Sequence, residues 1–394
     1  MESATLGEPP APTERSLSMS VVVIGGGVVG ASATYQLARS GADVTLIDAE
    51  YDGRATSAGA GIISPWSSRE QDPDWFHIAA AGAEHYPALL RQLSDDGQTD
   101  VGYRRVGSLR LTTDAAVETE FAAVRDRAAG SALAGTVDVL TGSAARALHP
   151  LLEHDGPAIH VAGTARLDGR QLRAALWAAA RKHGARIVTG RARIRAGSAV
   201  EAVEIDGEVI GADVVIEASG VWAPHVLEPL GLRSPVTAMR GQIVHLRLPG
   251  AEPREWPVIL PMSAHYLLSF DDRIVVGATH ESDAGLDHRL TVAGLHQVLG
   301  EALQVAPGLA DAEFLEGRVG FRPVGPDAKP LLGTTPDLPG LIIANGLGAH
   351  GLTMGPYVGS IAAALAEGRE PEVDLTPYDP FRGQPSMSGN RFSM

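Results

Sequence analysis

Residues 21–48, VVVIGGGVVGASATYQLARSGADVTLID, place glycines at 25, 27 and 30 between a β-branched run and a stretch of helical spacing, and end on an acid. Such an arrangement does its chemistry through the backbone. In a G-x-G-x-x-G pattern Gly25 allows the tight turn, Gly27 lets a pyrophosphate approach the main chain, and Gly30 lets the helix pack closely on its strand. Val28 and Val29 open the helix, whose unpaired N–H groups and about half a positive charge then face the phosphates. Asp48 accepts hydrogen bonds from a ribose diol and disfavours a 2′-phosphate. The pattern predicts a bound dinucleotide and does not choose between NAD and FAD.

The elements that hold these positions form a β-α-β unit: a strand over 21–24, a helix over 28–39 stopped by Gly41, and a second strand over 44–47. Further along, DGRQLRAALWAAARKHGARIVTG reads as an amphipathic helix capped by Asp168 and stopped by Gly184, then another strand of the same sheet. RGQIVHLRL and HYLLSFDDRIVVGAT alternate with period two, the pattern of half-buried strands.

Composition narrows the function classes. With 394 residues and 44% hydrophobic content the chain can bury a large core and divide into two domains. A net charge of −15 repels nucleic acid and anionic membranes, so an anionic ligand needs local groups to hold it. The absence of cysteine excludes disulfides, thiolate metal sites, iron–sulfur clusters and dithiol redox centres, leaving redox chemistry to an imported cofactor. No metal site is expected, and neither G-x-S-x-G, H-E-x-x-H nor a P-loop occurs. Arginine supplies nearly all positive charge, Lys182 and Lys329 being the only lysines, which suits a GC-rich bacterial genome. Residues 1–18 read as a disordered tail, neither signal peptide nor anchor, and GQPSMSGNRFSM closes a C-terminal tail over 372–394. The stretch 351–368 fits a buried helix better than a membrane span, and a cytoplasmic protein is expected.

Three later segments favour FAD. RATSAGAGIIS, 54–64, is a small-residue loop able to run along a flavin and its phosphates; GADVVIEASGVWAP, 211–224, is a strand ending at Ser219 and Gly220; GLIIANGLGAHGLTMGP, 340–356, is a strand followed by a glycine-rich loop that opens a helix. Together they resemble the D-amino-acid oxidase superfamily of FAD oxidoreductases, which includes glycine oxidase, sarcosine oxidase and D-amino-acid dehydrogenase. The resemblance implies an α/β fold with a discontinuous Rossmann-type FAD-binding domain, from 19–76, 150–224 and 322–371, and a mainly antiparallel α+β substrate domain from 77–149 and 225–321. It also implies that Arg54, Thr56, Ser57, Ser219 and Gly220 contribute to the cofactor site. By the same likeness Gly346, Gly348, Ala349, His350, Gly351, Leu352 and Thr353 lie against the pyrimidine end of the isoalloxazine, where backbone N–H groups stabilise the reduced form.

Within GRVGFRPVGPDAKPLLG the resemblance puts Arg322 where relatives clamp a substrate carboxylate, by two parallel hydrogen bonds from a planar guanidinium. Tyr266 matches a strand tyrosine whose hydroxyl serves the same carboxylate. The implied reaction is hydride transfer from the Cα–N bond of a D-amino acid, glycine or secondary amino acid to flavin N5, giving an imine that water hydrolyses to a keto acid. It requires no general base, and His265 and His280 read as ordinary surface or core residues. With no cysteine, and no histidine in ATSAGAG, the FAD is expected to be noncovalent. The implied electron acceptor is dioxygen or a carrier, and the oligomeric state is open. Two other readings stand beside this one: oxidation of a hydroxy acid or polyol, and flavin binding without turnover.

Overall fold

Val21, Val22 and Val23 are fully buried because the strand they form lies inside a sheet with layers on both faces. The computed structural model describes residues 19–382, so the expected tail over 1–18 and the closing segment 383–394 lie outside the described residues. In chain order, the elements that position the site are β1 (Ser20–Ile24), α1 (Val28–Ser40), β2 (Asp43–Asp48), α2 (Pro73–Asp95), β3 (Ser108–Leu111), β4 (Val137–Leu140), β5 (Ala158–Val161), α3 (Gly169–Lys182), β6 (Arg186–Thr189) and β7 (Val214–Glu217). They continue with β8 (Thr237–Arg247), β9 (Val258–Leu260), β10 (Tyr266–Ser269), β11 (Ile274–Gly277), α4 (Val292–Val305), β12 (Glu313–Val324), β13 (Leu331–Thr334), β14 (Leu341–Asn345) and α5 (Gly351–Ala366).

The first sheet has six strands in the order β13-β14-β7-β1-β2-β6, parallel except for β13 at the edge. On one face α1, α2, α3 and α5 share a continuous apolar core. A three-stranded sheet over 192–211 covers the other face through Ile194, Val203 and Ile205. Local signals set the boundaries: α1 ends at Gly41 in the left-handed region, φ 88°, and Asp168 caps α3 by accepting hydrogen bonds from Arg170 N at 2.8 Å and Gln171 N at 3.1 Å. A β-α-β start, parallel strands and helices on the sheet make this a Rossmann-type unit.

The second sheet has eight strands in the order β12-β8-β11-β10-β9-β3-β5-β4, antiparallel except between β9 and β3. Its β8 and β11 were expected to be half-buried, yet Arg240 to Leu246 and all of β11 are buried. Both faces are covered: α4 packs Val298 and Ala302 against Val244 and Leu246, while Ile243, Leu268 and Val275 meet Ala60 and Ile62.

Packing follows other divisions than the domain limits read from the sequence. The limit at 77 falls inside α2, which packs through Trp75, Ile78, Ala79 and Tyr86 into the core of the first sheet. Residues 158–161, expected in the cofactor-binding unit, form β5 of the eight-stranded sheet, and the limit at 322 cuts through β12. Residues 372–382, read as part of a tail, are packed: Tyr378 is 1% exposed and donates a hydrogen bond to Asp74 O at 2.7 Å.

Candidate active site

The carboxyl ends of β1, β7 and β14 open onto a cavity of about 1170 Å³ that runs to β8, β10 and β12 of the second sheet. At its first end the glycine turn does what its spacing predicts. Gly25 has φ +101°, and a Cβ there would stand 2.4 Å from Ala218 O; one on Gly30 would stand 1.9 Å from Gly25 O. A Cβ on Gly27 meets only Thr56 Oγ1, at 3.3 Å, so the main chain there is open to a ligand. No side chain of its N-cap residue satisfies the start of α1, although Val28 N donates to Thr56 Oγ1 at 3.0 Å. Arg54 lines the same end and keeps Nη1 buried with no partner. An unpaired guanidinium N–H beside a helix N-terminus fits a pyrophosphate.

Asp48 is more engaged than its position in the sequence suggests. Its Oδ2 accepts from Gly26 N at 2.9 Å and Arg173 Nη2 at 3.1 Å, and its Oδ1 accepts from Glu50 N at 2.6 Å. A carboxylate has about four lone-pair positions, so room for a ribose hydroxyl is left. Tyr51 stacks on Trp222 with ring centroids 5.0 Å apart and Arg191 lies 5.5 Å from the Tyr51 ring, giving this end a flat wall.

In the middle of the cavity β7 and β14 end side by side on a buried polar network. Glu217, fully buried, accepts from Ser219 N at 2.8 Å, from the Ser219 hydroxyl, and from Asn345 Nδ2 at 3.0 Å. Burial pushes the Glu217 carboxyl above its usual range. Asn345 Nδ2 also donates to Gly220 O at 3.0 Å, and Asn345 Oδ1 accepts from Gly346 N at 2.8 Å, so one side chain fixes both loops. Gly348, Ala349, His350, Gly351, Leu352 and Thr353 line the wall where α5 begins with neither an acid in its first turn nor a side-chain cap. The His350 ring packs edge-on against Trp75, and burial pulls its pKa down to about 4.

The far end belongs to the second sheet. Arg322 lies over Gly241, where a Cβ would be 2.7 Å from Nη1, and donates to Thr279 O at 3.0 Å. It forms no ion pair among the described residues, and burial lowers its pKa from the ordinary arginine range. Tyr266 faces the same space, its pKa pushed up to about 12 by burial. Neither lysine lines the cavity: Lys182 pairs with Asp96 at 3.3 Å and Lys329 with Asp72 at 3.3 Å.

Of the residues singled out in the sequence, Gly25, Gly27, Val28, Val29, Asp48, Arg54, Thr56, Ser219, Gly220, Tyr266, Arg322 and 348–353 meet at this cavity. Gly30, Ser57 and Gly346 do not line it. Gly30 serves helix-to-strand packing; the Ser57 carbonyl accepts from Arg170 Nε at 3.1 Å; and Gly346, φ +72°, turns the chain against Leu331. His265 and His280, read as ordinary surface or core residues, also line the cavity, as do Arg69, Glu70 and Arg110. Sequence reasoning also passed over Tyr51, Trp222 and Arg173, which lie far from one another in the chain and carry no motif.

Comparison with known proteins agrees with this geometry. The family described as FAD dependent oxidoreductase (DAO) matches residues 20–365. The chain is 44% identical over 366 residues to the uncharacterised oxidoreductase YurR of Bacillus subtilis (strain 168), spanning 92% of this chain and 98% of that one. Against glycine oxidase of Pseudomonas aeruginosa it is 30% identical over 371 residues, 92% of this chain and 99% of the other. The crystal structure of iminodiacetate oxidase from Chelativorans sp. BNC1 superposes with a TM-score of 0.89 at 45% identity, covering 91% of this chain and 98% of that one. Because the family match runs from the first glycine turn through the loop and helix that close the cavity, the chain belongs to the DAO family of FAD-dependent oxidoreductases and takes FAD as its cofactor.

Proposed function

We propose that this oxidoreductase acts on the Cα–N bond of a small amino acid: a D-amino acid, glycine or a secondary amino acid. The observation that carries the reading is Arg322, a partly buried guanidinium on the cavity wall with one backbone hydrogen bond and no ion pair among the described residues. A desolvated cation of this kind is costly unless paired, and a substrate carboxylate supplies the missing charge through two charge-assisted hydrogen bonds. Glycine oxidase and iminodiacetate oxidase, among the relatives, support a nitrogen-bearing substrate.

Bound FAD supplies the two-electron acceptor for the hydride that leaves Cα as the nitrogen lone pair forms C=N; water then hydrolyses the imine to a keto acid and the released amine. The chain's own residues do the rest. Arg322 fixes the carboxylate, and with it the direction of the Cα–H bond. Tyr266, protonated because burial raises its pKa to about 12, donates its hydroxyl to that carboxylate. Positive charge at Arg322 disfavours an ammonium nearby, which keeps the substrate amine in its uncharged form. The N-terminus of α5 directs its partial positive charge at the middle of the cavity, where negative charge is to be stabilised. The FAD is held noncovalently on this reading, the chain having no cysteine and ATSAGAG no histidine to attach it, and dioxygen or an electron carrier takes the electrons on.

The test is anaerobic titration of the yellow protein with glycine, sarcosine, proline, both enantiomers of alanine, and lactate. Bleaching of the flavin with release of ammonia or an amine supports the reading. Bleaching by lactate alone would move the assignment to hydroxy acids, and no bleaching by any compound would leave a flavin-binding protein without turnover.

A further inference from the structure

The substrate end of the cavity carries more cationic and N–H-donating groups than one carboxylate needs. Beside Arg322 its wall holds His265, His280, Arg69 and Arg110, and Glu70 is the carboxylate that lines this end among the described residues. Arg110 is already paired with Glu120 at 3.2 Å. Arg69 donates to Ser263 O and Pro261 O, at 3.0 and 2.8 Å, and has no ion pair among the described residues. In a chain of net charge −15 this is a local reversal of sign.

His265 is the most telling of these groups. Its side chain is 8% exposed, and neither ring nitrogen has a hydrogen-bond partner. Glu301 of α4 stands 3.7 Å from Nδ1, beyond hydrogen-bond length. Unlike the other buried imidazoles without partners, His149 and His245, His265 lines the cavity, so its ring nitrogens are open to a ligand. His280 directly follows Thr279, whose carbonyl holds Arg322, so imidazole and guanidinium are anchored to one stretch of backbone. Burial lowers the His280 pKa, and the nearby Arg322 and His265 lower it further.

We propose that the cavity contains a second carboxylate position, formed by His265 and His280 beside Arg322 with Arg69 at its mouth, so that the favoured substrate is an amine bearing two carboxylates. The proposal deepens the amine reading above and rests on it for Arg322. The second carboxylate is carried either on the nitrogen, as in iminodiacetate, or on the side chain, as in aspartate. In both cases the imidazole N–H groups donate to it while Arg322 keeps the first carboxylate.

Two measurements on the FAD-loaded enzyme test this. In calorimetry, diglycolate, which has an ether oxygen in place of the amine and is not oxidised, should bind at least tenfold tighter than methoxyacetate. His265→Ala combined with His280→Ala should shrink that gap severalfold, with flavin content as the check on folding, and His265→Asn, which keeps an N–H donor, should recover part of it. In kinetics, kcat/KM for iminodiacetate or for one enantiomer of aspartate should exceed that for sarcosine and alanine, and the ratio should fall at least tenfold in the double variant. Preference for iminodiacetate puts the second carboxylate on nitrogen, and preference for aspartate puts it on the side chain. Equal binding of diglycolate and methoxyacetate, or a gap that the double variant leaves intact, overturns the second position. A diglycolate gap without oxidation of any amine would sink the amine reading and leave the anion site standing.

Discussion

Arg322 and the histidines around the cavity make different demands on their surroundings. Arg322 is a cation on the cavity wall with no ion pair among the described residues, and if it holds the substrate carboxylate as proposed, Arg322→Leu should raise KM for amino acids at least a hundredfold, the loss of about 3 kcal/mol of charge-assisted hydrogen bonding. Flavin content should not change, because the pyrophosphate site proposed at Arg54 and the α1 N-terminus lies at the opposite end of the cavity from Arg322. Steady-state kinetics and the absorbance ratio of flavin to protein check both halves. His149 and His245 are buried with no hydrogen-bond partner on either ring nitrogen, Glu316 standing 3.9 Å from His245 Nδ1, and burial pulls the pKa of each down to about 4. The unfolded chain therefore binds protons more readily than the folded one between pH 6.5 and about 4. Stability should be full above pH 6.5 and fall as pH drops, by on the order of 1–2 kcal/mol per histidine at pH 5. Urea midpoints at pH 7.5 and 5 measure this, and His149→Leu should flatten its share. At this scale the sequence is legible where neighbours in space are neighbours in the chain. Gly25, Gly27, Gly30 and Asp48 sit within one unit, and their spacing states their roles. His265, Tyr51 and Trp222 line the cavity only because separate segments of the chain end there, and nothing in their local sequence distinguishes them from packing residues.

Secondary structure was legible where a cap or stop was present. Asp168 and Gly41 mark the ends of α3 and α1 as read, and the glycine stripe of α5 explains why so apolar a helix needs no membrane. Among the described residues no helix is long and apolar enough to cross one. A Cβ on Gly359 would stand 2.4 Å from Val29 O, and one on Gly355 would stand 2.7 Å from Val28 Cγ1, so α5 packs against α1 almost backbone to backbone. Gly82 of α2 approaches Met354 in the same way, 2.6 Å from its Cα for an added Cβ. Gly359→Val should therefore cost more than the roughly 1–3 kcal/mol of ordinary overpacking, since the contact is with backbone that cannot turn aside. Because Val28 and Val29 also line the cavity, the variant should lose flavin affinity along with melting temperature. The burial of β8 on both faces escaped the period-two reading for a related reason: alternation describes side-chain type, while burial depends on what covers the second face.

For the whole molecule, packing ignores the order of the chain. The C-terminal segment returns to α2, where the Tyr378 hydroxyl bonds Asp74 O and Arg382 Nη2 pairs with Asp327 at 2.7 Å. Ending the chain after 371 should cost about 3 kcal/mol or more, judged by the burial of one large aromatic, and thermal unfolding would show it as a lower midpoint with the flavin still bound. The first sheet draws strands from 20–48, 186–217 and 331–345, and the second takes those from 108–161 and 237–324, so the backbone passes from one to the other four times. Those passages act as parallel tethers. Four tethers oppose a clamshell opening about a single hinge, and the Pro261–His265 turn that Arg69 clasps is held at the cavity wall. By the same logic, a protease nick in the exposed turn at 249–250 should give two fragments that elute together and stay yellow until denaturant separates them.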